Sequence, residues 1–109
     1  MFTGKYFVEK LNMKEHPEGG YYNECLKSKD IIDAKAVDSS FDGNRKLWTS
    51  IYFLLKDRDV SRFHRLKSDE IWYFHSGVPM VIHIINKNGE LERVKLGLDI
   101  ERGEQPQVL

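Results

Sequence analysis

The sequence predicts an all-β fold, a sandwich or barrel of short strands. From Tyr21 onward, apolar residues alternate with polar ones along most segments, which is the period of a β-strand. Glycine, proline and asparagine separate these segments at short intervals, and almost none of the chain has helical periodicity. A length of 109 residues fits one domain, so we expect a single domain over residues 1–109.

Composition and charge exclude several classes of protein. Seventeen Lys and Arg are interspersed with 17 Asp and Glu, so the chain lacks the basic stripe that binds nucleic acid. The longest apolar runs, IYFLL and MVIHII, are far shorter than the ~20 residues of a membrane helix. Cys25 is the single cysteine, which excludes an intrachain disulfide and agrees with a reducing compartment. We therefore expect a cytoplasmic protein without nucleic-acid or membrane partners.

The N-terminal half is predicted to contain one helix and several strands. Tyr6, Phe7 and Leu11 recur near helical spacing, which predicts a short helix over residues 4–11. HPEGG at 16–20 ends this segment in a turn, because proline lacks an N–H donor and glycine adopts dihedral angles that other residues avoid. Strands are then predicted at 20–28, at 31–37 before a loop, and at 46–55.

The C-terminal half is predicted to consist of strands and tight turns. VSRFHRL at 60–66 and EIWYFHS at 70–76 indicate two strands joined by a short connection. Asn88-Gly89 is typical of a type I′ turn and predicts a hairpin between alternating segments. Val108 and Leu109 resemble the start of a further strand.

The two central strands carry the candidate site. Side chains alternate across a strand, so each segment presents three residues on one face: Arg62, His64 and Leu66, then Glu70, Trp72 and Phe74. An interior face formed by the apolar members would enclose His64 and Glu70 and perturb their protonation. The alternative is a purely structural pairing of both side chains, as for most buried polar groups. The remaining histidines are expected to be structural: His75 on the outer face, His83 in the hairpin and His16 in a turn.

Several sequence blocks resemble one family. FHRLKSDEIWYFHSG is similar to the first cupin motif, His-x-His, three or four residues, Glu, six residues, Gly, with His64, Glu70 and Gly77 at matching positions. HPEGGYYNE at 16–24, TSIYFLL at 49–55 and GEQPQ at 103–107 extend the resemblance to one uncharacterised cupin family, a domain of unknown function. The resemblance implies a double-stranded β-helix, or jelly-roll barrel, with a short N-terminal helix. It also implies a dimer, and a fold related to that of sugar-nucleotide epimerases.

The sequence departs from the cupin pattern in two places. Leu66 stands where the second histidine belongs, which makes a firmly bound metal doubtful because such sites commonly use three or four protein ligands. The second cupin motif would lie beyond Leu109, so we expect the barrel to be incomplete at its C-terminus. An open barrel exposes strand edges and apolar surface, which favours a homodimer, with strand exchange as one form.

Three functions stay open. The first is a module that binds a small polar, sugar-like ligand in the barrel, with Tyr52, Arg62, Trp72 and Phe74 around the ligand. The second is an active or degenerate epimerase- or isomerase-like enzyme with His64 as the base and Glu70 as its partner. The third is an oligomerising fragment without activity. A weakly bound divalent metal, held by His64, Glu70 and water, is a variant of the first two.

Overall fold

The computed structural model describes residues 2–41 and 43–109. Contacts divide the chain into two compact units, Met1–Lys67 and Ser68–Leu109. In chain order the elements are α1 (Gly4–Lys10), β1 (Lys14–Glu15), β2 (Tyr21–Lys27), β3 (Ile31–Asp33), α2 (Ala34–Val37), β4 (Asn44–Lys46), β5 (Thr49–Leu54), β6 (Trp72–Tyr73), β7 (Met80–Ile85), β8 (Leu91–Leu96), a 3₁₀ turn (Ile100–Arg102) and β9 (Gln107–Val108). No helix in the described ranges is long and apolar enough to cross a membrane.

The predicted N-terminal helix is confirmed as α1. Thr3 caps it, because its side-chain oxygen accepts a hydrogen bond from the Tyr6 N–H at 3.2 Å. Phe2 stacks on Tyr6 with ring centroids 4.2 Å apart, and Phe7 meets both rings edge-on. The cap and the aromatic cluster hold a helix that is too short to be stable alone.

A three-stranded antiparallel sheet forms the main layer of the first unit, in the order β1-β2-β5. Tyr21 pairs with Leu54 and Asn23 with Tyr52, and a bulge between Glu24 and Leu26 shifts the register. The Asn23 side chain donates to the Leu11 carbonyl at 2.8 Å, which ties the sheet to the end of α1. Met13, in the link from α1 to the sheet, is buried.

A second antiparallel pair, β3 with β4, lies in the same unit, and here the sequence prediction was partly wrong. The expected strand over 31–37 ends at Asp33, and Ala34–Val37 forms a helical turn instead. The cause is local, because the Asp33 carboxylate accepts a hydrogen bond from the Lys35 N–H at 3.1 Å and so caps a helix start. Ala34, the first residue of this turn, is buried.

The strand predicted at 60–66 is absent from the structure. Residues 59–66 form no ladder with any described strand, and their one backbone bond to the sheet region joins the Arg62 N–H to the Glu18 carbonyl at 2.7 Å. A strand needs a partner on at least one edge, and alternation in a sequence does not supply one. The facing inferred for His64 and Leu66 therefore loses its basis, and both side chains are exposed.

Two antiparallel pairs build the second unit. In the first, β6 pairs with β9, so that Trp72 lies opposite Val108. The strand predicted at 70–76 is thus confirmed only over Trp72–Tyr73. The strand predicted to start at Val108 pairs with β6. In the second pair, β7 and β8 are joined over six residues each. The buried apolar residues of this unit are Leu96 and Val108.

The predicted hairpin is confirmed, but its predicted turn type is wrong. Gly89 alone adopts positive φ (78°) in this turn, whereas a type I′ turn requires it at Asn88 too. The Asn86 side-chain oxygen accepts hydrogen bonds from the N–H groups of Asn88 and Glu90, at 2.9 and 3.0 Å. The Gly89 N–H donates to the Asn86 carbonyl at 3.0 Å, which gives a type I turn followed by a left-handed glycine.

Candidate functional site

The candidate site is a cleft of about 530 Å³ in the first unit. The HPEGG turn at 16–20 forms much of its wall. The side chains that line it and carry polar groups are Glu15, His16, Tyr21, Asp59 and Arg62. The cleft therefore combines two carboxylates, an imidazole, a phenol and a guanidinium.

Glycine is required where the turn packs against the chain that follows β5. A Cβ on Gly19 would clash with the Val60 carbonyl oxygen, and a Cβ on Gly20 would lie 2.7 Å from the Leu54 carbonyl oxygen. Both residues also have positive φ, 114° and 75°, which side chains disfavour. The turn is closed by the His16 N–H, which donates to the Gly20 carbonyl at 2.8 Å. The paired glycines thus let this turn approach the neighbouring backbone closely.

His16 has a defined tautomer. Its Nδ1 accepts a hydrogen bond from the Glu18 N–H at 3.0 Å, so the proton of the neutral ring lies on Nε2. The half-buried ring packs edge-on against Tyr22 and Phe53, with centroids 5.0 and 5.3 Å away. The ring is held on two sides, and its remaining nitrogen is a hydrogen-bond donor.

Arg62 joins the turn to the segment after β5. Its Nη2 donates to the Pro17 carbonyl at 2.6 Å, and its backbone N–H donates to the Glu18 carbonyl. Both partners are uncharged, and Arg62 forms no ion pair with any described residue. A guanidinium has five N–H donors, so donors remain for an additional acceptor.

The two carboxylates of the cleft come from segments that are far apart in the sequence. Glu15 ends β1 and has no side-chain hydrogen bond or ion pair with the described residues. Asp59 closes the turn at 57–59, where its Oδ2 accepts from the Lys56 N–H at 3.0 Å. The ammonium of Lys56 lies 4.6 Å from the centroid of the Tyr21 ring, in cation–π contact.

Of the six residues predicted from sequence, three lie in the first unit. Arg62 alone lines the cleft. His64 is exposed, and its Nδ1 lies 2.9 Å from the Arg62 carbonyl oxygen. A carbonyl only accepts, so Nδ1 carries the proton and Nε2 of the neutral ring keeps its lone pair. Tyr52, on β5, is 39% exposed.

The other three residues lie in the second unit. Trp72 and Phe74 are half-buried while Tyr73 and His75 are exposed, which confirms the predicted alternation over 72–75 only. Glu70 precedes β6 and is exposed. The expectation that an apolar pocket encloses His64 and Glu70 is therefore wrong for both side chains, because neither is carried by a paired strand.

Sequence reasoning underestimated His16 and did not select Glu15 or Asp59. His16 was expected to act only as a turn residue, and it does close the turn, but it also lines the cleft. The available signal was the HPEGG block itself, where paired glycines bring a histidine close to neighbouring backbone. Among the residues described, no three His, Cys, Asp or Glu side chains are grouped so as to hold a metal ion.

Comparison with known proteins identifies relatives over nearly the whole chain. Protein SO0799 from Shewanella oneidensis is 42% identical, with a TM-score of 0.84 over 99% of this chain and 63% of its own. A hypothetical protein from Leishmania major is 34% identical, with a TM-score of 0.86 over 98% of this chain and 64% of its own. The uncharacterized protein YML079W from Saccharomyces cerevisiae is 24% identical over 106 residues, 92% of this chain.

The chain spans about half of the yeast protein, 52%, and less than two thirds of each solved structure. The family described as Cupin superfamily (DUF985), Cupin_5, matches residues 5–109. The strand-rich architecture with few helices agrees with the all-β jelly-roll fold expected from the resemblance. The chain therefore belongs to the DUF985 family of the cupin superfamily.

Proposed function

We propose that this cupin binds a small polar, sugar-like molecule and that the cleft at the HPEGG turn takes part in binding. The observation that carries the proposal is the convergence of Glu15, His16, Asp59 and Arg62 on one cleft. Small-molecule sites are concave and use a few well-placed polar groups to orient their ligand.

The polar groups of the cleft suit a ligand rich in hydroxyl groups. A hydroxyl both donates and accepts, so it pairs with the His16 Nε2–H as acceptor and with a carboxylate as donor. The contacts of His16 with Glu18, Tyr22 and Phe53 hold the donor in place before binding, which lowers the entropy cost of association. Tyr21 adds an aromatic surface of the kind that packs against the apolar face of a sugar.

The predicted ligand contacts of Tyr52, Trp72 and Phe74 belong to the same proposal. Trp72 and Phe74 share the less exposed face of their segment, and Tyr52 extends from β5. Substitution of these three aromatic residues distinguishes a barrel ligand from one confined to the cleft.

The test is an NMR titration of the 109-residue protein with D-glucose and D-glucose 1-phosphate. We expect saturable shifts of the Gly19 and Gly20 amides, which lie in the wall of the cleft, and of the Glu18 amide, which is bonded to His16. His16→Asn keeps a side-chain acceptor for the Glu18 N–H but removes the Nε2–H donor, so binding should weaken about tenfold while the fold is retained.

His83→Asn is the matched control, because His83 lies in β7 of the second unit and does not line the cleft. Equal losses in the two variants would contradict the assignment of His16. Absence of saturable shifts with every sugar tested would contradict the proposed function.

A second candidate is an epimerase- or isomerase-like proton transfer, favoured by the tautomer of His64. With Nδ1–H donated to the Arg62 carbonyl, the Nε2 lone pair is available to accept a proton. Deuterium exchange from solvent into a bound keto-sugar tests the proposal, and His64→Gln should lower the exchange rate about a hundredfold without weakening binding. A wild-type rate equal to that of free sugar would exclude this activity.

The proposed association state is a homodimer, with strand exchange as one form. Large apolar side chains are exposed in both units, among them Ile51 (42%) on β5 and Ile85 (59%) on β7. Exposed apolar surface at strand edges favours pairing between chains. Size-exclusion chromatography with light scattering should give twice the 12.8 kDa mass. A monomer at micromolar concentration would contradict the proposal, and a dimer without any ligand would favour the oligomerising fragment.

A further inference from the structure

The charged groups of the cleft define the class of ligand more narrowly than its hydrogen-bonding groups do. Glu15 and Asp59 carry two negative charges and Arg62 one positive charge, and none of them forms an ion pair within the described ranges. Opposite charges on a protein surface commonly pair when they are close enough. Here they line one cleft without pairing, so Glu15, the second oxygen of Asp59 and the remaining donors of Arg62 are available to a ligand.

The Tyr21 ring of the cleft already holds a cation of the protein itself. The Lys56 ammonium already lies over the Tyr21 ring, 4.6 Å from its centroid, so the surroundings of this ring accommodate a primary ammonium. Lys56 does not line the cleft, and its side chain also passes close to Gly4. Its charge nevertheless competes with any cation that approaches Tyr21.

The donors of the cleft require oxygen acceptors on the same ligand. His16 presents Nε2–H, and Arg62 has donors beyond the one given to Pro17. A ligand that satisfies both sets of groups carries a protonated amine next to hydroxyl or carbonyl oxygens.

We propose that the cleft selects an amino sugar, with its ammonium at Glu15 and Asp59 and its hydroxyl oxygens at His16 and Arg62. This inference rests on the proposed function and specifies the class of ligand. The ammonium is the distinguishing group, because a neutral sugar supplies hydroxyls but no charge for the two carboxylates.

The experiment compares D-glucosamine, D-glucose and N-acetyl-D-glucosamine in NMR titrations near pH 7. Glucosamine should bind about tenfold more tightly than the two uncharged sugars, because two partly exposed ion pairs add modestly to affinity. Added salt should reduce this difference, since exposed charges are screened. Lys56→Met should increase glucosamine affinity by roughly twofold, because it removes the competing ammonium.

The carboxylates are tested by Glu15→Gln and Asp59→Asn, with Glu24→Gln and Asp57→Asn as matched controls. Glu24 lies on β2 and Asp57 in the same turn as Asp59, but neither lines the cleft. Each test variant should weaken glucosamine binding roughly threefold more than it weakens glucose binding, because the new amide still accepts from a hydroxyl but carries no charge, whereas the controls should change neither.

The outcomes separate the two proposals. If glucose and glucosamine bind equally, or if test and control variants lose the same affinity, the selection of an amine is overturned while sugar binding stands. If none of the three sugars binds, both proposals are overturned.

Discussion

The turn at 16–20 and the turn at 86–90 both contain glycine at positive φ, yet they are determined in different ways. A Cβ on Gly19 would clash with the Val60 carbonyl oxygen, whereas a Cβ on Gly89 would meet no described atom within 4 Å. The first turn is packed against backbone about 40 positions later in the chain. The second is made by its own residues, since Asn86 accepts hydrogen bonds from Asn88 and Glu90.

The difference has a functional consequence. The packed turn carries His16 and is bonded to Arg62, so the cleft depends on a contact between distant segments. The hairpin turn fixes the register of β7 and β8 but positions none of the residues that line the cleft. Substitutions in the packed turn should therefore affect both stability and binding, and those in the hairpin turn stability alone.

The largest expected effect is that of Gly19→Ala. Its methyl group meets a backbone oxygen that cannot rotate away, and φ of 114° adds strain, so we expect a loss of about 3–5 kcal/mol in the free energy of unfolding. Urea denaturation measures it. A loss below 1 kcal/mol would show that the turn is not held against Val60.

Gly89→Ala is the matched substitution in the hairpin turn. Alanine fits the space but not φ of 78°, so the expected loss is about 1–2 kcal/mol. Gly89→Asn should recover part of this loss, because asparagine tolerates the left-handed region better than other residues with a side chain. If Gly89→Ala costs as much as Gly19→Ala, steric packing does not explain the contrast between the turns.

A smaller effect separates the two asparagines of the hairpin turn. Asn86→Ala removes an acceptor of two backbone N–H groups and should cost about 1 kcal/mol. Asn88→Ala should be nearly neutral, because Asn88 does not adopt positive φ and its side chain has no hydrogen bond to the described residues. Thermal unfolding of both variants measures the difference. The reverse order of the two costs would favour the type I′ turn.

The smallest effect concerns the exposed turn at 38–41, also made by local bonds. The Ser40 N–H donates to Asp38 Oδ1 at 2.8 Å, and with the Ser40 hydroxyl and the charge of Lys67 it lowers the pKa of Asp38. A lowered folded-state pKa contributes stability above the unfolded-state pKa, and this stability is lost as pH falls through the folded-state pKa. NMR titration of the Asp38 carboxyl should show that Ser40→Ala raises its pKa partway toward the ordinary value. An unchanged pKa would assign the shift to the backbone bond alone.

Local signals predicted much of the fold. The helix predicted over 4–11, the glycine turn, β2, β5 and the hairpin were expected from periodicity and turn residues, and all are present, the helix over Gly4–Lys10. The two strand predictions that were wrong also have identifiable causes, one in a local hydrogen bond and one in strand pairing. The Asp33 cap replaced the end of one predicted strand, and the segment at 60–66 has no neighbouring strand with which to form a ladder.

The candidate site was harder to predict than the fold. Alternation within 60–76 placed His64 and Glu70 together in an apolar pocket, but the structure leaves both exposed and assigns them to different units. Only Arg62 of the predicted set lines the cleft. Which residues meet at a cleft depends on contacts between segments, and the spacing along one segment does not contain that information.

By itself the sequence determined the all-β class, the family and the turns whose geometry their own side chains fix, because these follow from periodicity and short-range hydrogen bonds. Only the tertiary structure decided that His16, Arg62 and the two carboxylates share a cleft. The physical reason is the close approach of Gly19 and Gly20 to the backbone at Leu54 and Val60, a contact between distant segments that leaves no periodic trace in the sequence.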